Sequence, residues 1–249
     1  MNNCDQASVR TAGLIIIGNE ILSGKTQDQN SFFLATELRG LGVSLMRISV
    51  IPDDIEMIGR EAAVFSGSFD YVFTTGGVGP THDDITMAGI AKAFGVPLKR
   101  HPALERRFLE RYGDAANDAV MKMADVPEGA EVIEFVTNNF PLVVYRNIHI
   151  FPGIPRYLQE KFRLVRERFR TSAFFLKRIY LKAQEADIAS ILNAVVDNNT
   201  CVTFGSYPIL DNADYQIIVT AESKIEADLD SALSELLKKL PGDIVVAIT

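Results

Sequence analysis

The stretch DYVFTTGGVGPTHDD, residues 70–84, decides the fold. Its first six residues are a short apolar run of strand-forming type, ended abruptly by Gly76, Gly77 and Gly79, then Pro80 and Thr81. A helical pattern begins just beyond Asp84 and runs over residues 85–94, where Gly95 supplies a stop signal. Strand, glycine turn and helix in immediate succession are one half of a βαβ unit, and the flanking sequence repeats the rhythm. AGLIIIG (12–18) is a continuous apolar run ended by glycine, followed by a helix over 30–41 and Gly42. SLMRISVI (44–51) precedes a helix over 54–66. The alternation predicts a parallel sheet covered on both faces, with right-handed crossovers.

Further along, HPALERRFLERYG and NDAVMKMADVP read as helices, AEVIEF as a strand, and FPLVVYRNIHIF as a hairpin bent near Asn147. A long helix opens after Pro155. From residue 172 the order becomes strand, helix, strand, strand, helix, strand, that of a ferredoxin-like βαββαβ unit. Ile179, Leu181, Ile217 and Val219 form its apolar sheet face. Leu229, Leu233, Leu236, Leu237 and Leu240 form a helical stripe, with Asp228, Asp230, Glu235 and Lys238 toward water. The charge divides too, residues 172–249 holding 6 bases and 11 acids. The expected organisation is a three-layer α/β/α sandwich with a mostly parallel sheet over 1–171, then a small α+β ferredoxin-like domain over 172–249.

The 249 residues, 47% hydrophobic and 23% charged, suffice for self-supporting cores. A balance of 25 bases to 32 acids argues against a nucleic-acid surface. The run Arg156, Lys161, Arg163, Arg166, Arg168 and Arg170 reads as a solvated helix face. Cys4 and Cys201 suggest neither a disulfide framework nor a zinc site, so a reducing compartment is expected. With no signal pattern at the start and no long apolar run, a cytoplasmic protein without membrane contact is expected.

Glycines after a strand let backbone N–H groups face outward, and a following helix start adds donors, a combination suited to phosphate. The turn lacks the Lys-Ser/Thr ending of a Walker loop, and His82 occupies the third glycine position of a GxGxxG reading. Asp83 or Asp84 could simply cap the helix, and Asp53 another. Beside a phosphate cradle, however, carboxylates repel the ligand unless one is protonated, caps the helix or holds a divalent cation, and a hard cation such as Mg²⁺ resolves the conflict. In a parallel sheet the loops after the strands meet at one edge. That edge collects Gly18, Asn19 and Glu20, then Asp53 and Asp54, the turn at 76–84, and Gly153 within FPGIP (151–155). Glu20, Asp53, Asp83 and Asp84 thus converge as a candidate metal-assisted phosphate site. His82, His101 and His149 share no ligand spacing, and the lack of a GxSxG elbow argues against acyl transfer.

The motifs Thr75-Gly76-Gly77-Val78-Gly79-Pro80-Thr81-His82-Asp83-Asp84, Gly18-Asn19-Glu20-Ile21-Leu22-Ser23-Gly24 and Phe151-Pro152-Gly153-Ile154-Pro155 resemble the molybdopterin-binding-like domain. That domain occurs in competence/damage-inducible protein A and in eukaryotic FAD synthases. The Gly-Pro-Thr-His-Asp-Asp spelling, the Thr26-Gln27-Asp28-x-Asn30 run and Gly205-Ser206-Tyr207-Pro208 look most like the FAD synthase version. The resemblance covers nearly the whole chain. It implies a nucleotide or pterin phosphate bound by Gly18, Thr75, Gly76, Gly77, Gly79, Pro80, Thr81 and Gly153, with Asp53, Asp84 and Glu20 as functional acids. It also implies a homo-oligomer, dimer or trimer. Two activities are expected: metal-dependent pyrophosphohydrolysis of FAD- or ADP-ribose-like substrates, with Asp83 and Asp84 on Mg²⁺, Mn²⁺ or Co²⁺, or binding of molybdopterin, FAD or another nucleotide without turnover. FAD synthases carry a further adenylyl-transfer domain, and the chain ends at Thr249 without one, so a complete FAD synthase is not expected.

Overall fold

A computed structural model describes residues 9–135 and 140–249. The chain divides into two bodies, Arg10–Thr171 and Ser172–Thr249, with Val9 assigned to the second.

The first body is built on a six-stranded sheet. Its leading elements are β1 (Thr11–Ile17), α1 (Asn19–Leu22), α2 (Asn30–Gly40), β2 (Ser44–Ile51), α3 (Ile55–Ser68), β3 (Tyr71–Thr75) and α4 (Thr86–Ala93). There follow β4 (Leu98–Arg100), α5 (Pro102–Tyr112), α6 (Asp118–Lys122), β5 (Asp125–Pro127), β6 (Glu131–Ile133), β7 (Leu142–Tyr145), β8 (Ile148–Phe151) and α7 (Pro155–Val165). The strand order is β2-β1-β3-β8-β7-β6. β2, β1, β3 and β8 run parallel, whereas β7 and β6 are antiparallel additions at one edge.

β1 explains the three layers. Its run is apolar at every position because both faces are covered: Ile15 and Ile17 pack with Ile58, Ala62, Phe65 and Ile90 of α3 and α4. Ala12, Leu14 and Ile16 pack on the opposite side with Leu34, Leu38, Leu158 and Phe162 of α2 and α7. Period-two alternation between two cores is what a central parallel strand requires. The α/β/α sandwich expected from the sequence is present. So is the hairpin: Tyr145 pairs with Ile148 across a two-residue turn in which Arg146 has φ 54°. Asn147 fixes that turn by donating to the carbonyls of Ser66 and Phe69 at 3.1 and 2.8 Å.

Some local expectations need correction. The helix after Pro155 is eleven residues, with a 3₁₀ turn over Arg166–Phe169, rather than one long element. β4 and β5 pair antiparallel as a separate ribbon that the sequence reading lacked. The arginines of the basic run form a solvated face laced with ion pairs, including Arg156–Glu160 at 2.9 Å, Arg166–Glu37 at 3.2 Å and Arg168–Glu131 at 3.3 Å, but Lys161 departs from that expectation, its amine turned from water to donate to the carbonyls of Phe140 and Pro141. His149 is no ligand: it is 7% exposed, stacked on Phe73 and edge-on to Phe169. Burial pushes its pKa down to about 4, so the ring is neutral.

The second body contains β9 (Phe175–Leu181), α8 (Glu185–Asn198), β10 (Thr203–Pro208), β11 (Ile217–Ser223), α9 (Glu226–Lys239) and β12 (Val245–Ile248). Its antiparallel sheet has the order β10-β11-β9-β12, the ferredoxin-like arrangement. Ile179, Leu181, Ile217 and Val219 join Ile188, Val195 and Leu236 in one core, so both helices cover one sheet face. Cys201 is disulfide-bonded, which corrects the expectation that the cysteines suggest no disulfide; Cys4 lies outside the described residues. No helix among the described residues is long and apolar enough to cross a membrane.

Candidate functional site

The parallel register sets the site. Ile17 pairs with Ile51, Ile16 with Thr75, and Thr75 with Phe151, so four strands end level and their loops share one edge. The Gly76 N–H donates to the Phe151 carbonyl at 3.3 Å, and the Gly18 N–H to the Ile51 carbonyl at 3.1 Å.

The turn after β3 needs its glycines. Gly76 has φ 103°, and a Cβ there would lie 2.0 Å from the Ile17 carbonyl oxygen. Gly77 follows with φ 62°. Together they fold the chain over the end of β1 in a conformation that only glycine adopts readily. The amides of Gly77, Val78 and Gly79 meet no acceptor among the described residues. Those of Gly76 and Thr81, also expected to hold phosphate, are committed to Phe151 and Asp84. The available donor set is therefore narrower than the sequence suggests. α4 begins at Thr86, whose hydroxyl donates to the Gly76 carbonyl at 2.8 Å and fastens the turn from behind.

Asp84 does not cap α4. Its Oδ2 accepts from the Thr81 backbone N–H at 2.8 Å and lies 2.6 Å from Thr81 Oγ1. Gly79 makes room, since a Cβ there would lie 2.6 Å from the same oxygen. Asp83 Oδ1 stands 2.5 Å from Thr81 Oγ1, and that contact is the main reason its carboxyl is held below its ordinary pKa. One hydroxyl has one proton, yet two carboxylate oxygens crowd it. Three oxygens with a single hydrogen between them are a donor set suited to a hard cation. Among the described residues no group of three Asp, Glu, His or Cys side chains converges, so the set is two carboxylates and one hydroxyl. Pro80 and His82 are exposed at the turn's rim.

Asp53 is also not a cap. Asp54 caps α3, accepting from the Met57 N–H at 2.8 Å, while Asp53 Oδ2 accepts from the Asn19 N–H at 2.9 Å and ties the loops after β1 and β2. Glu20 is exposed, with its carboxylate over Gly18, where a Cβ would lie 2.5 Å from Oε1. Thr75 is buried, its hydroxyl donating to the Pro152 carbonyl at 3.3 Å. Gly153 brings the loop after β8 against the turn, a Cβ there falling 3.3 Å from Gly76 Cα.

Two participants were absent from the sequence-derived set. Lys122 of α6 places Nζ 3.4 Å from the Thr81 carbonyl and 3.3 Å from that of Asp84, the one side-chain cation bonded to this turn among the described residues. Asn30 opens α2, where Asp28 accepts its backbone N–H at 2.9 Å. Its Nδ2 donates to Thr75 Oγ1 at 2.8 Å and to the Gly153 carbonyl at 2.7 Å, joining three loops. Only the Thr26-Gln27-Asp28-x-Asn30 run had drawn notice to that position.

The family profile described as "Probable molybdopterin binding domain" matches residues 13–171, and "FAD synthase, middle domain" matches residues 173–249. A protein of Caenorhabditis elegans named "Probable FAD synthase" is 34% identical over 95% of this chain and 51% of its own length. The chain thus spans about half of that relative. A "CinA-like protein" of Thermotoga maritima is 27% identical over 93% of this chain and 59% of its own length. The crystal structure of CinA from Thermoplasma acidophilum, described as of unknown function, superposes with TM-score 0.60 at 30% identity, covering 65% of this chain and 100% of that one. Glycine turn, level strand ends and profile agree over the same residues, and the chain belongs to the probable molybdopterin binding domain family.

Proposed function

We propose that the chain is a metal-dependent nucleotide pyrophosphohydrolase acting on FAD- or ADP-ribose-like substrates. The observation that supports this is the crowding of Asp83, Asp84 and Thr81 around one hydroxyl proton, beside three amides with no acceptor among the described residues. The amides of Gly77, Val78 and Gly79 bind phosphate oxygens, and Lys122 adds positive charge next to them. Asp83, Asp84 and the Thr81 hydroxyl would hold Mg²⁺, Mn²⁺ or Co²⁺; such a cation, when bound, polarises a phosphoryl oxygen and acidifies a water. Asp53 or Glu20 orients the attacking water and takes its proton. Water adds to one phosphorus as the bridging P–O bond breaks, so FAD yields AMP and FMN, and ADP-ribose yields AMP and ribose 5-phosphate. The test is AMP release from FAD and ADP-ribose with each of the three metals, and no release with any of them refutes the reading.

A second reading, a molybdopterin- or nucleotide-binding protein without turnover, is favoured by the bracing roles of Asp84 on Thr81 and Asp53 on Asn19. Asp84→Asn separates the two. Asn keeps an acceptor for Thr81 but removes the charge, so a hydrolase loses at least about 100-fold in rate, whereas a binder keeps or gains affinity for an anion. Self-association into a dimer or trimer is part of the proposal. Among the described residues β2 is the edge of the sheet, with Met46, Ile48 and Val50 exposed along it, the kind of edge a second copy covers.

A further inference from the structure

Asn30 is buried, and its carboxamide nitrogen serves two loops at once. The Gly153 carbonyl can only accept, so the amide group facing it at 2.7 Å is the nitrogen. The second amide hydrogen goes to Thr75 Oγ1 at 2.8 Å, whose own hydrogen goes to the Pro152 carbonyl. Asn30 itself stands on a firm base. Asp28 Oδ1 accepts the backbone N–H groups of Asn30 and Ser31 at 2.9 and 3.2 Å, and Leu34 and Leu38 fix α2 in the core. The two loops it joins lack such support from the sheet. The ladder between β3 and β8 ends where the Gly76 N–H meets the Phe151 carbonyl. A cavity of about 50 Å³ is lined by Glu20, Thr26, Thr75, Gly153 and Pro155 together with Asn30. Where a void replaces close packing, hydrogen bonds set the separation, and Asn30 supplies two of them.

Each loop carries free donors. The amides of Gly77, Val78 and Gly79 in the turn, and of Gly153 and Ile154 after β8, meet no acceptor among the described residues. We propose that Asn30 is a positioning residue for a diphosphate. Through Thr75 and Gly153 it holds the loop after β8 against the glycine turn, so that the two sets of amides take the two phosphates of one pyrophosphate group. This deepens the nucleotide reading above and rests on it. A single phosphate needs one set of amides, whereas a pyrophosphate needs both at a constant spacing. A spacing fixed before binding is not paid for by the ligand. Loss of the brace therefore weakens pyrophosphate and spares orthophosphate.

The experiment is calorimetric titration of the full chain, in excess Mg²⁺, with inorganic pyrophosphate and with orthophosphate. The unaltered chain should bind pyrophosphate at least about tenfold more tightly than orthophosphate. Asn30→Leu keeps the size of the side chain and removes both donors. It should lower that ratio by about tenfold, with orthophosphate affinity held within about twofold. Thr75→Val should lower the ratio in the same direction, and Thr75→Ser, which keeps the hydroxyl, should preserve it. A merely structural role weakens both anions alike or neither, so the ratio is the readout. Should Asn30→Leu not fold, Thr75→Val against Thr75→Ser carries the test. Equal affinities in the unaltered chain overturn the proposal, as does binding of neither anion. So does a ratio that survives in Asn30→Leu, or an equal loss of both anions there. AMP release from FAD alongside any of those results leaves the hydrolase standing without the brace. The expected ratios without AMP release refute the hydrolase and leave Asn30 in its role.

Discussion

Replacing His149 with leucine should flatten the acid side of the stability curve. The ring lies on β8 against Phe73, Phe169 and Tyr71, and burial lowers its pKa from the ordinary 6.5 to about 4. Between those values the unfolded chain binds a proton that the folded chain refuses. Stability from this residue is therefore intact above pH 6.5 and is lost as pH falls toward 4. At about 1.4 kcal/mol per pH unit the full loss is roughly 3 kcal/mol, of which about 2 kcal/mol falls between pH 7 and pH 5. Urea unfolding of both proteins at those two pH values measures it, because carboxylates contribute equally and cancel in the difference. The gap between His149→Leu and the unaltered chain should shift by about 2 kcal/mol in favour of leucine at pH 5. Parallel pH dependences, or an imidazole resonance titrating near 6.5, would show that water reaches the ring.

Other outcomes follow from the site and its surroundings. Gly76→Ala, with φ 103° and a Cβ 2.0 Å from the Ile17 oxygen, should cost roughly 2–5 kcal/mol and abolish phosphate binding in equilibrium dialysis. Gly24→Ala, at φ 70° with open space around it, should cost only about 1 kcal/mol and leave binding intact. Burial lowers the Lys161 amine to about 8, where it donates to the carbonyls of Phe140 and Pro141. After reductive ¹³C-methylation, one lysine resonance should titrate near that value; stability from this group rises as pH climbs from there to the ordinary 10.5. Ile48→Lys on the exposed β2 edge should shift the proposed oligomer toward monomer in sedimentation velocity, with the secondary structure unchanged.

What could be read from the chain, and what could not, divides by the distance over which residues act. LIII within β1 is apolar at each position, a pattern a strand buried on both faces demands, and the three layers follow from it. The glycines at 76 and 77 could be placed after a strand because strand and turn are contiguous. β4 and β5 were invisible because each is three residues long, and Leu98, Lys99 and Arg100 are exposed, so no periodicity marks them. Whether an aspartate caps a helix or braces a loop depends on one residue of register. Asp54 and Asp53 are adjacent, and only the structure shows that the first points to Met57 and the second to Asn19. Asn30 and Lys122 act on partners 38 to 123 positions away, which spacing cannot reveal.

Asn30 also says something about the order in which the molecule assembles. Its contacts to Thr75 and Gly153 close chain separations of 45 and 123 residues at a single point. Neither can form until β1, β3 and β8 stand side by side and α2 has docked, and long closures of this kind form late. The cavity beside Glu20 is therefore a property of the finished body and of no fragment of it. During refolding, helical ellipticity should recover first and ligand affinity last, so affinity becomes a clock for the final step of folding.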